Sequence, residues 1–218
     1  MNENVVVSYS KYSTWCQCPL KYKYLYIDKF KEGSSEALDH GTAIHKEMEE
    51  YLKFPTMPLP ICVHDDLKHM VALVKATKPE IEAWWTLNYD LKECGSWDQD
   101  VAFRAKIDFY YLQDAHLVIG DWKTGKVRPK NMEQLQFYAM VAFNLFPAIE
   151  RITIELYFLE HGVYQTQEFI RSQAEALQVA WDARLQPFRD ALLFPPNVTP
   201  LCGWCGFSKT KGGACLAG

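Results

Sequence analysis

Apolar positions along the chain switch between a helical period and a strand period, and the switches divide it into elements. The stretch "SYSKYSTWCQCPLKYKYLYIDKF" (8–30) has a helical spacing, with Pro19 suited to the first turn of a second helical segment after Cys18. "ALDHGTAIHKEMEEYLKF" (37–54) predicts a helix bounded by Pro55, which sets Gly41, His45 and Glu49 on one face. A proline-rich connector follows, and then a helix is predicted over 64–88. The middle reads as strand: over 101–112, Val101, Phe103, Ala105, Ile107 and Phe109 alternate with Ala102, Arg104, Lys106, Asp108 and Tyr110. That alternation places Asp108 on a face with two basic residues. The turn "QDAH" leads into "LVIGDWKTGK" (117–126), a mostly apolar strand that nevertheless carries Asp121 and Lys123 on one face. Asp108 and Asp121 are thus expected on adjacent strands of a hairpin, where side chains on one face converge. Helix period returns over 129–146, a second hairpin is predicted over 151–170, and a long helix over 172–193. The tail reads as irregular and holds three cysteines.

Composition narrows the class. The chain has 218 residues, 49% hydrophobic and 14% aromatic, enough to bury one substantial core, so a single domain over 1–218 is expected. A formal net charge of −4 excludes a uniformly basic nucleic-acid coat; an anionic partner has to be met by local clusters of Lys and Arg. The start "MNENVVVSYS" lacks the positive region of a signal peptide, and the longest apolar run, "YAMVAFNLF", falls short of the ~20 residues that span a bilayer. A cytoplasmic chain is expected. Seven cysteines, an odd number gathered near the two ends, read as metal ligands rather than a disulfide framework.

Two carboxylates near a lysine, with a histidine on a neighbouring helix, suit metal-assisted phosphodiester hydrolysis. Asp108 and Asp121 offer oxygen ligands to Mg²⁺ or Mn²⁺, and His45 a nitrogen. Lys123 is placed to orient water or to stabilise charge on the phosphorus. Each piece alone has a plainer reading: an Asp-x-Lys on a strand is more often a solvated face, His45 a satisfied polar residue, and Gly41 a close helix contact. Order is what favours the chemical reading: helix with histidine, strand with acid, strand with Asp-x-Lys, then helix.

That order, His45 in "GTAIH", Asp108 in "KIDF", Asp121-Trp122-Lys123 in "GDWKTGK", then Gln134 and Tyr138 in "QLQFY", resembles the PD-(D/E)XK nuclease superfamily, in its RecB-like branch. The resemblance implies an α/β fold: a restriction-endonuclease-like mixed sheet flanked by helices, with a catalytic core over 37–170. It implies a metal held by His45, Asp108 and Asp121, with the carbonyl of Trp122 as an extra ligand, and Lys123 as the residue that acts on water. Gln134 and Tyr138 are then expected near the bound strand.

The ends extend the likeness to iron–sulfur members such as AddB-type nuclease domains and CRISPR-adaptation nucleases. Cys18 of "CPLKYKY" and Cys202, Cys205 and Cys215 of "CGWCGFSKTKGGAC" match a [4Fe–4S] ligand set, which implies a cluster lobe formed by 1–30 and 195–218 that joins the two termini. Cys16 is a rival first ligand, and zinc a rival metal. Cys62 and Cys94 read as free thiols. The activity implied is a metal-dependent deoxyribonuclease, an exonuclease on single-stranded DNA or duplex ends, of a size that suits a phage or mobile element. The competing expectation is a non-catalytic DNA-binding or assembly subunit of a recombination or CRISPR-adaptation complex. No Gly-x-x-x-x-Gly-Lys-Ser/Thr loop is present for an ATP-driven motor. For DNA contact, Lys126, Arg128 and Lys130 follow the Asp-x-Lys strand, and Lys21 and Lys23 alternate with Tyr22 and Tyr24 as candidates for phosphate contact and base stacking.

Overall fold

The computed structural model describes residues 5–33, 35–128 and 130–217. Five strands form one mixed sheet in sequence order: β1 (Glu80–Asn88), β2 (Val101–Gln113), β3 (His116–Lys123), β4 (Arg151–Phe158) and β5 (Val163–Ile170). All neighbours are antiparallel except β3 and β4, which run parallel. A parallel pair needs a crossover, and α5 (Lys130–Leu145) supplies it. With α1 (Tyr9–Gln17) and α6 (Ala174–Arg189), α5 covers one face of the sheet, where Phe137, Val141, Trp181 and Phe188 pack with Leu117, Ile119 and Ile154. The other face carries α3 (Glu36–Lys53) and α4 (Asp65–Ala76), whose Ile44, Met48, Leu67 and Val71 pack on Phe109, Trp122 and Tyr157. Covered on both sides, β3 is buried through all but its end residues, which explains its almost unbroken apolar run.

Local signals set the helix bounds. The Ser35 hydroxyl caps α3 by accepting from the Leu38 N–H, Glu36 and Asp39 favour its positive first turn, and Phe54 turns extended ahead of Pro55. The Ser8 hydroxyl caps α1 in the same way through Lys11 N–H. A short helix α2 (Pro19–Tyr22) starts on its proline, as expected from Cys18-Pro19.

Two expectations from the sequence fail. The helix over 64–88 is two elements: α4 ends at Ala76, Lys78 takes a left-handed φ of 52° before Pro79, and Glu80–Asn88 is the edge strand β1. Proline disfavours helix in the residue before it, and what makes 80–88 a strand is pairing with β2, a contact distant in sequence. The simple alternation over β2 fails as well. Ile107, with its partner Ala83, faces α5, whereas Phe109, with its partner Ile81, faces α3 and α4. The faces exchange at Glu82, with φ 53°, and at Asp108 opposite it. Asp108 therefore leaves the plane shared by Arg104 and Lys106.

That irregularity coincides with a fork. The β2–β3 ladder runs from Gln113↔His116 back to Phe109↔Gly120 and ends there. Beyond it, Asp121, Trp122 and Lys123 pair only with Leu156, Tyr157 and Phe158 of β4. The edge of β2 that β3 leaves is taken by Val7, whose N–H donates to Ala102 and whose carbonyl accepts from Arg104.

Candidate active site and cysteine lobe

The carboxyl of Asp108 spans the fork: its Oδ2 accepts from the Trp122 N–H at 2.8 Å, taking the place of a backbone partner. Its Oδ1 lies 3.3 Å from His45 Nδ1, so the helix α3 reaches the sheet edge there. The approach is close because Gly41, one turn before His45, lets α3 lie against the loop after β3; a Cβ at Gly41 would stand 3.3 Å from the Thr124 hydroxyl. Burial lowers the His45 pKa, but the hydrogen bond and charge of Asp108 and the charge of Asp121 outweigh it and leave it raised. Glu49, on the same helix face, turns to Lys53 instead at 3.9 Å.

Asp121 is only 5% exposed and points to the α5 side of the fork. Its Oδ2 lies 2.5 Å from Lys123 Nζ in an ion pair but accepts no aligned hydrogen bond. Gln134 Nε2 at 3.4 Å and Tyr138 Oη at 3.5 Å approach Oδ1. Desolvation raises the Asp121 pKa, Lys123 opposes it, and the neighbouring charge of Asp108 adds to it. Gln134 ties the group together: its Oε1 accepts from Lys123 Nζ at 2.9 Å and its Nε2 donates to Tyr138 Oη at 2.7 Å. Tyr138 Oη in turn donates to the Lys106 carbonyl at 3.3 Å, and burial holds its phenol well above the ordinary range. His45, Asp108, Asp121, Lys123, Gln134 and Tyr138, far apart in sequence, thus meet at one fork, with Trp122 buried beneath it.

Two grooves open beside this fork, sharing Tyr9, Ser10 and Gln134. One of about 580 Å³ is lined by Lys123, Lys126 and Arg128, the other of about 390 Å³ by Lys11, Arg104 and Lys106; neither has an acid among its lining residues, though Lys123 pairs with Asp121 and Lys106 with Glu82 from outside them. On a chain of net charge −4 this is a local concentration of positive charge, and it runs past the acids of the fork. Sequence reading missed Tyr9 and Lys11; they become neighbours of the site because Val7 docks on β2. The side chain of Lys130 and all of Pro129 lie outside the described residues. Lys21 and Lys23 do not join the grooves. They pair with Glu32 at 2.8 Å and with Asp28 at 2.6 Å, Tyr22 is buried against Tyr26 and Phe188, and Tyr24 packs on Phe30 and Phe207.

The four cysteines Cys18, Cys202, Cys205 and Cys215 line a single small cavity of about 40 Å³ where the two ends of the chain meet. The Asn197 N–H points at Cys18 Sγ at 3.4 Å and the Thr199 N–H at Cys202 Sγ at 3.5 Å, donors of the kind that stabilise thiolate sulfur. Cys16 is exposed outside the cavity, one turn along α1 from Tyr12; burial and the neighbouring Glu133 push its thiol up, while a hydrogen bond from Tyr12 opposes them. The ends also touch directly: Leu20 N–H donates to Pro195, Gly206 N–H to Glu32, and Tyr24 Oη to Ala214. Among the described residues only Cys94, Asp98 and Asp100 bring three potential ligand atoms within 4.8 Å of one another. That surface group is already engaged, Asp98 with the Gly95 N–H and Asp100 with Asn88.

A mixed sheet between two helical layers, with acids of two adjacent strands and a lysine meeting where the strands part, defines the class of divalent-metal nucleases. A family model of the PD-(D/E)XK nuclease superfamily matches residues 6–87 and 64–210, and the chain belongs to that superfamily. Metal-dependent nuclease activity, with DNA as the substrate class, follows from that membership. No curated protein matches the chain. Solved structures do: the crystal structure of SSO0001 superposes with a TM-score of 0.50 at 14% identity, over 94% of this chain and 85% of that one, a likeness of fold alone. No helix among the described residues is long and apolar enough to cross a membrane. The donor types at the fork, two carboxylates and an imidazole, suit a hard divalent ion, and the buried Oδ2 of Asp121 accepts no hydrogen bond. The ligand atoms of His45, Asp108 and Asp121 do not all lie within 4.8 Å of one another, so an ion there would have to draw them together.

Proposed function

We propose that the chain is a deoxyribonuclease that removes nucleotides from the ends of single-stranded DNA or of duplexes, using Mg²⁺ or Mn²⁺ held by Asp108, Asp121 and His45 with the Trp122 carbonyl. The observation that carries this reading is the convergence of Asp108, Asp121 and Lys123 in the β2–β3 fork, between two grooves lined by cations. The bound ion supplies a Lewis acid for the phosphoryl oxygen and lowers the pKa of its water. The protein supplies the rest. Lys123, steadied by Gln134, is placed to orient the attacking water or to meet charge on the phosphorus. Gln134 and Tyr138 hold Asp121 and Lys123 in register on the α5 side, and Asp108 is fixed by the Trp122 N–H. The groove cations Lys126 and Arg128, which pair with no acid among the described residues, are free for phosphates.

The four cavity cysteines fit a [4Fe–4S] cluster. What supports that reading is that all four thiols line one cavity where the two ends of the chain meet, with backbone N–H groups directed at Cys18 and Cys202.

The test is cleavage of end-labelled linear and of circular single-stranded DNA with Mg²⁺ or Mn²⁺, by wild type and by folded Lys123→Ala and Asp108→Asn. Loss of the linear substrate alone, abolished in both variants, supports the exonuclease. Cleavage of both substrates would make it an endonuclease at the same site. A cluster-loaded wild type that cleaves neither refutes the catalytic reading and leaves a DNA-binding or assembly subunit.

A further inference from the structure

We propose that Trp84, Arg104 and Trp97 form a stacking platform for the unpaired bases of a single DNA strand lying across the active-site fork; this rests on the nuclease reading and names the form of its substrate. Trp97 is 91% exposed and Trp84 54% exposed, a large indole surface left to water beside a functional groove. Arg104 stands between the rings, its guanidinium carbon 5.9 Å from the Trp84 centroid and 5.6 Å from that of Trp97. It is held there by donating from Nη2 to the Ser96 carbonyl, while its buried Nε has no partner. No acid pairs with it among the described residues. Asp98 and Asp100 of the same loop are occupied by the Gly95 N–H and by Asn88.

The platform is continuous with the site. The groove that Trp84 and Arg104 line also contains Gln134 and Tyr138. Trp84 sits directly across the ladder from Lys106, whose carbonyl accepts from Tyr138 Oη. Along β2, Arg104 precedes Asp108 by four residues, roughly 13 Å at the rise of a strand. A strand whose phosphate lies at the fork therefore reaches the rings within the next few nucleotides. The chemistry of the groove and its rim alternates to match: Lys11 and Arg104 for the backbone, Lys106 being paired with Glu82, and the indole faces of Trp84 in the groove and Trp97 beside Arg104 for the bases. Stacking of this kind accepts any base but needs it unpaired, because a base inside a duplex already has both faces covered. Sequence pattern hides the arrangement, since Trp97 lies in a loop and Trp84 in the strand first expected to be helix.

The test measures binding without turnover. A labelled single-stranded oligonucleotide is titrated in the absence of divalent metal, against a strand of equal length carrying an abasic tract and against a blunt duplex. Trp84→Ala and Trp97→Ala should each weaken the single strand roughly 5- to 150-fold, the loss of one base–aromatic stack, and leave the abasic strand and the duplex unchanged. Trp97→Phe should keep most of the affinity, and wild-type indole fluorescence should fall on binding only the strand with bases. Both rings are exposed, so thermal melting of the variants should match wild type, which excludes misfolding as the cause. A wild type that cleaves DNA while both alanine variants bind every ligand as it does would overturn the platform and leave the nuclease reading intact. A loss as large on the abasic strand would overturn it too, since the rings would then be reading backbone. A wild type that neither binds nor cleaves any of these DNAs removes the nuclease reading, and the platform with it.

Discussion

Replacing Lys123 by Met keeps a long apolar stem and removes the one full positive charge that meets Asp121, at 2.5 Å. The other contacts of that carboxyl, Gln134 at 3.4 Å and Tyr138 at 3.5 Å, are long, and only 5% of the residue is exposed. The anion is left with two outcomes. It stays charged and unpaired, at a cost of about 3–5 kcal/mol for a broken buried pair. Otherwise it takes up a proton, at about 1.4 kcal/mol for each pH unit between the solution and its ordinary pKa, or about 4 kcal/mol at pH 7. Burial already holds its pKa above that ordinary value, which brings the second cost down. The smaller cost governs, so the variant should lose about 3 kcal/mol. For a chain of this size each kcal/mol moves the melting temperature by about 2–4 °C, which gives a fall of ~6–12 °C in metal-free buffer. Melting followed by circular dichroism, with equal cysteine-cluster loading in both proteins, measures it. Mn²⁺ or Mg²⁺ should then recover more stability in the variant than in wild type, because an ion that binds only the folded state takes over the lost role of the ammonium. A variant that melts within a degree of wild type without metal would refute the view that Asp121 is a confined anion held by Lys123.

Gly120→Ala should cost about 1–3 kcal/mol in urea unfolding, because its Cβ would fall 1.7 Å from the Phe109 ring, which Trp122 at 4.6 Å and Tyr157 at 6.1 Å hold in place; unchanged stability would show that the ring has room to move. Cys18→Ala should remove bound iron and visible absorbance and destabilise the chain by up to on the order of 10 kcal/mol, the scale of a structural metal site. The same iron content and melting temperature as wild type would dismiss the quartet, and loss of iron in Cys16→Ala would show that Cys16 contributes a ligand.

The residues of the fork were legible because their chemistry is written in local spacing. Asp121 and Lys123 share a face by the period of a strand, and Gln134 and Tyr138 share one by the period of a helix. Their order along the chain then matched a known arrangement. What was not legible followed from partners distant in sequence. Residues 80–88 form a strand because β2 lies beside them, and the face of Phe109 is decided at Glu82 and Asp108, where two strands turn over together. Lys21 and Tyr22, plausible DNA contacts from composition, are used up by Glu32 and by the α6 aromatics.

The sequence by itself determined the bounds of α3 and the start of α2, the apolar run of β3, the Asp-x-Lys pair and the cysteines at both ends, because caps, prolines and hydrophobic period act over a few residues. Tertiary structure decided that β2 and β3 part at Asp108, that Val7 fills the edge so exposed, and that acid-free grooves with an exposed indole pair flank the result. The physical reason is range. Backbone propensity is settled within a turn or two, while the position of a carboxylate against a lysine, or of an arginine between two rings, is fixed only when packing on both faces of the sheet brings the elements together.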